Sequence, residues 1–372
     1  MSIETTMTRA WQRQAAWLWL LLPVSWLYGF ITMVRRQAYQ VGLFSSYRAP
    51  IPLMVIGNIT VGGSGKTPLI IALVTHLQKQ GIKVGVISRG YGGDSNQMPT
   101  LVRADSLPSI VGDEPCLIVN MTGAAMAVCP NRKQAITTLL NAHPDLQLII
   151  ADDGLQHYAL QRDIEWIVVD ASRGFGNQQL LPTGFLREPM SRLTGANVVY
   201  HEKADRTTKD NKQAKAKRLT MHLQADELQI LWPSAVEIDG LSVAAKTLMP
   251  PIPNGRVHAV SGIGYPQRFF DTLMALGFDV IGHAYPDHYD FSLTELLQYS
   301  ELPIIVTSKD AVKIRALLIN MSSRQPLNDE YQELVHRLWV LPVTAVLSDG
   351  CYVSLQQQLK ALNINLSKST KA

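Results

Sequence analysis

The run Thr60-Val61-Gly62-Gly63-Ser64-Gly65-Lys66-Thr67 has the residue types and spacing of a loop that wraps phosphate. Gly62, Gly63 and Gly65 let successive backbone N–H groups converge into an anion-binding nest. Lys66 is placed to reach β- and γ-phosphates, and Thr67 to ligate magnesium. A second polar pair, Asp152-Asp153, stands before Gly154. Two such carboxylates can divide the work of holding a magnesium ion and orienting its neighbours. Asp-Asp-Gly alone would serve equally well as a simple turn. Together these residues point to chemistry on a nucleoside triphosphate. One departure stands out: generic phosphate loops open with glycine where this chain has Thr60.

Such a loop needs a strand before it and a helix after it. The apolar run 51–57 (IPLMVIG) reads as a buried strand, and an apolar-periodic helix follows Pro68 to about Gln80. Further apolar strands are expected at 83–88, 146–151 and 165–169, ending in Arg89-Gly90-Tyr91, Asp152-Asp153 and Asp170. Strands alternating with helical stretches predict an α/β fold, a P-loop NTPase-like doubly wound parallel sheet. Ligands gather at the carboxyl ends of its strands, where each of these polar clusters falls.

The 372 residues suggest about two domains. Three cysteines, Cys116, Cys129 and Cys351, with no CxxC pair, exclude a disulfide scaffold and a zinc knuckle. They suit a reducing compartment. The net charge of +4 is local. Residues 1–50 hold Arg9, Arg13, Arg35, Arg36 and Arg48 against Glu4, and the rest of the chain is balanced. That argues against a basic nucleic-acid binder. Residues 15–34 carry no charge, are bracketed by arginines, and hold Trp17, Trp19 and Trp26 just beyond Trp11. The run ends without a cleavage site for a secretory signal. It barely reaches the ~20 residues of a span and is diluted by Pro23, Ser25, Gly29 and Thr32. A helix lying on an anionic membrane surface, tryptophans at headgroup depth, is the favoured reading.

The motif Gly57-Asn58-Ile59 leading into the phosphate loop resembles the tetraacyldisaccharide 4′-kinase family, as do Ser88-Arg89-Gly90-Tyr91-Gly92, Val111-Gly112-Asp113-Glu114-Pro115 and Asp152-Asp153-Gly154-Leu155-Gln156-His157. The runs 181–189 and Pro286-Asp287-His288-Tyr289 extend the likeness, and all occur in the family's order. Thr60 is normal in that family, whereas Thr183 and Phe185 depart from an expected Ala and Pro. The resemblance implies transfer of the ATP γ-phosphoryl group to the 4′-hydroxyl of a tetraacylated glucosamine disaccharide 1-phosphate, a lipid. ATP and Mg²⁺ are the cofactors it implies, and the cytoplasmic face of the inner membrane is the expected location. It selects Asp113 and His288 as the acceptor base and its hydrogen-bonded partner, beside Lys66. Glu114 becomes a second candidate for the magnesium shell, with Thr67, Asp152 and Asp153. Arg89, Tyr91, Arg187 and His157 become candidates for phosphate or sugar contacts. Each arginine has a rival life as a surface ion-pair partner.

The expected organisation is a membrane-associated helical segment (1–45), a P-loop kinase domain (46–218), a linker with short strands (219–254), a smaller α/β lobe (255–350) and a C-terminal tail (351–372), mostly polar and frayed beyond Leu355. Residues 202–218 read as a solvated connector. No obligate protein partner is evident. The rival is a membrane-associated regulatory NTPase. Guanine recognition would need an Asn/Thr-Lys-x-Asp run, and Thr307-Ser308-Lys309-Asp310 has the wrong spacing.

Overall fold

The computed structural model describes residues 3–203, 218–232, 249–299, 301–323 and 328–364. Most of the expected connector, much of the expected linker and the last residues of the tail lie outside the described residues. Strands β1 (Leu53–Gly57), β2 (Val84–Ser88), β3 (Thr100–Val102), β4 (Ala125–Val128), β5 (Leu148–Asp152), β6 (Ile164–Asp170), β7 (Asn197–His201) and β8 (Leu219–Ala225) form one sheet. A late strand, β14 (Val343–Leu347), joins it, giving the order β14-β8-β7-β6-β1-β5-β2-β4-β3. From β8 to β4 every pairing is parallel, and only β14 and β3 are antiparallel. β1, β2 and β5 are buried at every residue because helices cover both faces, so they read as continuous apolar runs.

A smaller sheet holds β9 (Gln229–Ile230), β10 (Arg256–Ser261), β11 (Asp279–Ala284), β12 (Ile304–Thr307) and β13 (Leu338–Leu341), in the order β11-β10-β12-β13-β9. Two crossings join the lobes, and they lie side by side. Asp226 N–H donates to the Pro342 carbonyl at 3.0 Å, and Thr344 Oγ1 to Asp226 Oδ2 at 2.7 Å.

The structure departs from the expected boundaries here. Residues 219–225 are a strand of the large sheet, not a linker. The tail is not frayed through residue 361: helix Asp349–Ala361 packs against the large sheet with Cys351, Leu355 and Leu359 fully buried. Those three recur every four residues on one face, while Gln356, Gln357 and Gln358 make the segment look polar. Gln358 itself is used, accepting the Trp166 indole N–H at 2.9 Å.

At the N-terminus, a 3-10 turn (Ala16–Leu21) leads into helix Leu22–Gln40. Its inner face is small and polar. Ser25 Oγ donates to the Leu180 carbonyl at 3.0 Å, and a Cβ on Gly29 would meet Leu180 Cδ1 at 2.7 Å. Its outer face is the apolar one: Trp26, Leu27, Phe30 and Ile31 are exposed.

Candidate active site

β1 delivers the chain to the phosphate loop, and helix Lys66–Lys79 carries it away. The Thr60 departure has a local cause. Thr60 bridges Leu186 in antiparallel fashion, Val61 N–H donates to the Phe185 carbonyl at 2.9 Å, and Asn58 Nδ2 donates to Thr60 Oγ1 at 3.3 Å. Pairing holds Thr60 without the positive φ that would call for glycine. Gly65 does need it, at φ +95°, and a Cβ there would lie 2.7 Å from His201 Nδ1.

Lys66 Nζ donates to Asn58 Oδ1 at 3.2 Å and pairs with Asp153 Oδ1 at 3.3 Å. Asp153 Oδ2 meets Arg187 at 3.2 Å. Burial works against the Asp153 charge, but Lys66 and Arg187 outweigh it and hold this carboxyl low, at about 2. Its neighbour behaves oppositely. Asp152 is fully buried, takes one hydrogen bond from Ser88 Oγ at 3.1 Å, and leaves Oδ1 without a partner. Burial, then the charges of Glu114 and Asp153, raises its proton affinity. Thr67 sits half-buried in the first turn of the helix beside them.

Asp113 opens helix Asp113–Thr122, placed by Gly112 at φ +95°, where a Cβ would strike the Tyr91 carbonyl at 2.6 Å. His288, from the other lobe, reaches it: Nδ1 lies 3.0 Å from Asp113 Oδ2. Two lysines join them. Lys313 is 3.4 Å from Asp113 Oδ2, and Lys309 is 3.3 Å from Glu114, 3.1 Å from Asp287 and 3.2 Å from His288 Nε2. Burial would raise the Asp113 carboxyl, yet the His288 hydrogen bond and both lysines drive it well below the carboxylate range. Burial likewise opposes the charged His288 ring, and the bond to Asp113 overrides it, raising its proton affinity. The Tyr91 ring meets His288 edge-on at 4.9 Å. This cluster borders the phosphate loop, because a Cβ on Gly264 would lie 3.3 Å from Gly63 N and 3.1 Å from Asp287 Oδ2.

The structure therefore brings Lys66, Asp153 and Arg187 into one ion-paired chain and Asp113, Glu114 and His288 into another, with the Tyr91 ring against His288. Among the described residues no side-chain hydrogen bond or ion pair joins His157 or exposed Arg89 to either group. Burial, then Arg132, Arg162, Arg35 and Arg89, lowers His157 to about 4, so its ring is neutral.

The chain matches the family described as LpxK, tetraacyldisaccharide-1-P 4′-kinase, over residues 17–360. A tetraacyldisaccharide 4′-kinase of Psychrobacter arcticus is 74% identical, covering 99% of this chain and 98% of its own. The chain belongs to the tetraacyldisaccharide 4′-kinase family. The relative of that name in Ectopseudomonas mendocina is 43% identical over 85% of this chain and 90% of its own. A solved structure described as the "apo" form of LpxK from Aquifex aeolicus in complex with ATP has a TM-score of 0.65. At 23% identity over 93% of this chain and 99% of that one, it shows the same fold.

Several residues at this kinase-family site escaped the sequence reading. Lys309 lies in the string weighed above as a guanine motif, and Lys313 is one helical turn beyond it. Arg268 crosses from the second lobe to Asp170 at 2.6 Å. No local spacing marks these residues, since each acts across the lobe boundary. Thr183 has a partner that explains its type: its hydroxyl and that of Ser25 hydrogen-bond at 2.8 Å, and Ser25 Oγ accepts from the Thr183 backbone N–H at 3.0 Å.

Proposed function

We propose that this kinase of lipid A biosynthesis uses the phosphate loop to bind ATP and moves its γ-phosphoryl group to the 4′-hydroxyl of a tetraacylated disaccharide 1-phosphate. The observation that carries the reading is the Asp113–His288 pair, which spans the lobes beside the phosphate loop. A regulatory NTPase needs no such base facing an acceptor. Lys66 draws the transferring phosphoryl charge, and loop N–H groups hold the phosphates. Asp113 accepts the hydroxyl proton as the oxygen attacks, and His288 orients the carboxylate. Lys309 and Lys313 keep Asp113 ionised, so that its carboxylate can accept the hydrogen bond of the acceptor hydroxyl.

The carboxylates have the oxygen chemistry a divalent cation takes, although among the described residues they are not gathered into a preformed metal site. Asp152 Oδ1 is buried without a partner, and three carboxylates (Asp152, Asp153 and Glu114) repel one another there. Asp153 is engaged by Lys66 and Arg187, which leaves Asp152 as the direct or water-mediated holder, with Thr67 and Glu114. Magnesium would neutralise charge on the β- and γ-phosphates.

The helix Leu22–Gln40 supports attachment to a membrane surface, and an ATP donor fits its cytoplasmic face. Ala16–Gln40 is long and apolar enough to cross a membrane, yet one face is spent on the protein and the other carries exposed Trp26 and Phe30. The test is ATP turnover with and without the lipid disaccharide. Turnover that requires acceptor supports the kinase; slow GTP hydrolysis without it would favour the switch protein.

A further inference from the structure

His201 ends β7 directly beside Asp170, which ends β6, so both stand at the carboxyl edge of the large sheet. Each is buried. Arg268, in the first turn of helix Pro266–Ala275 of the other lobe, docks on this edge as a fork. One guanidinium nitrogen donates to Asp170 Oδ2 at 2.6 Å and to Ser172 Oγ at 3.0 Å. The other lies 3.1 Å from His201 Nδ1. That same Nδ1 lies 3.2 Å from the Ser64 carbonyl, in the phosphate loop.

These two contacts make opposite demands on one atom. A guanidinium only donates, so contact with Arg268 requires a lone pair on Nδ1. A carbonyl only accepts, so a bond to Ser64 requires a proton on Nδ1. Neutral imidazole cannot serve both. Burial, then Arg268, lowers His201 to about 4, so the doubly protonated ring is not available at neutral pH. Gly65 lets the ring press this close, and no side chain separates it from the loop.

We propose that His201 is a positioning residue that couples docking of the second lobe to the phosphate loop through a tautomer exchange. With Arg268 docked, the proton sits on Nε2 and Nδ1 accepts, which releases the Ser64 carbonyl. With Arg268 withdrawn, the proton moves to Nδ1, which donates to Ser64 and pins the loop. The lobe that brings His288 and Lys309 to Asp113 thereby frees the loop that holds the donor phosphates. Two elements share one proton position, a two-state coupling of the kind that links binding to closure. The proposal rests on the phosphate-loop reading above, which Lys66→Ala tests separately.

The test is nitrogen-15 NMR of histidine-labelled full-length protein in detergent, with ADP and magnesium as the probe. Wild type should show unprotonated Nδ1 on His201, and Arg268→Gln should show it protonated. Arg268→Gln leaves Asp170 its hydrogen bonds from Ser172 and the Arg173 backbone, and an unchanged Tm in this variant checks that the fold is kept. In turnover assays Arg268→Gln should lower kcat by about tenfold, with Arg268→Lys recovering part of the loss. His201→Phe on top of Arg268→Gln removes the donor to the Ser64 carbonyl and should recover part of that loss. The same His201 tautomer in wild type and Arg268→Gln would overturn the proposal, as would penalties for the two variants that multiply. Loss of nucleotide binding in Lys66→Ala with the Arg268-dependent tautomer intact would leave it standing.

Discussion

The Tyr28 hydroxyl donates to the backbone carbonyl of Arg187 at 3.0 Å, and the Arg187 guanidinium reaches Asp153, which pairs with Lys66. A helix whose outer face is apolar thus holds the backbone of a residue two ion pairs from the phosphate loop. Tyr28→Phe removes one hydroxyl and leaves the apolar face untouched. We expect kcat to fall several-fold on detergent-dispersed acceptor, with membrane partitioning and ATP affinity unchanged, since misplacement of a charged group costs rate steeply. Normal kcat in this variant would show that Arg187 needs no such support.

The two faces of that helix can be separated. Deleting it would remove the Ser25 and Tyr28 contacts together with the exposed tryptophans, so loss of activity would not identify the cause. Trp26→Ser with Phe30→Ser alters only exposed positions. These changes should release protein from vesicles containing anionic lipid and slow reaction with bilayer-embedded acceptor, while sparing detergent-dispersed acceptor. Arg35→Glu with Arg36→Glu should weaken attachment most at low salt. Retention of the serine variant on vesicles would turn attention to another surface.

Lys66 and Asp153 make a different prediction. Lys66→Ala should abolish transfer in a folded protein, and a near-normal rate would refute its role. Asp153→Asn frees Lys66 and Arg187 from a carboxylate that both now neutralise. Its effect should appear in the magnesium titration as well as in kcat, because Asp152 would lose its like-charged neighbour. A magnesium response identical to wild type would confine Asp153 to ion pairing.

What could be read from sequence was local. The phosphate loop declared itself because strand, glycines and helix are contiguous, and the central strands β1, β2 and β5 are runs buried on both faces. The tail helix hid because Cys351, Leu355 and Leu359 are spaced among glutamines, so its buried stripe is narrow. The expected smaller lobe, 255–350, takes in residues 343–347, since only a partner in space, β8, shows that the chain returns to the large sheet. Asp113 and His288 were named through family resemblance; their contact, at a sequence separation of 175, has no local signature. Lys309, Lys313 and Arg268 were missed for the same reason.

The Asp113–His288 contact also fixes a pH window. His288 has its proton affinity raised above the ordinary 6.5, so its contribution to stability is full below 6.5 and lost as pH rises through the raised value. Asp113 is depressed below 3.8, so its contribution is present above 3.8 and lost as pH falls through the lower value. The pair therefore fastens the lobes most firmly between 3.8 and 6.5. The gap in Tm between wild type and His288→Ala should be widest inside that window and shrink on the alkaline side. A gap that does not change with pH would show that the contact carries no charge. Catalysis gives an independent reading. Asp113→Ala should lower kcat by about 10²–10⁴ with ATP affinity nearly unchanged, the usual scale of general-base help. Because His288 acts by holding Asp113, the double variant should be little worse than Asp113→Ala alone. Penalties that multiply would separate the two residues, and a large loss of ATP affinity in Asp113→Ala would move that carboxylate to the metal side of the site.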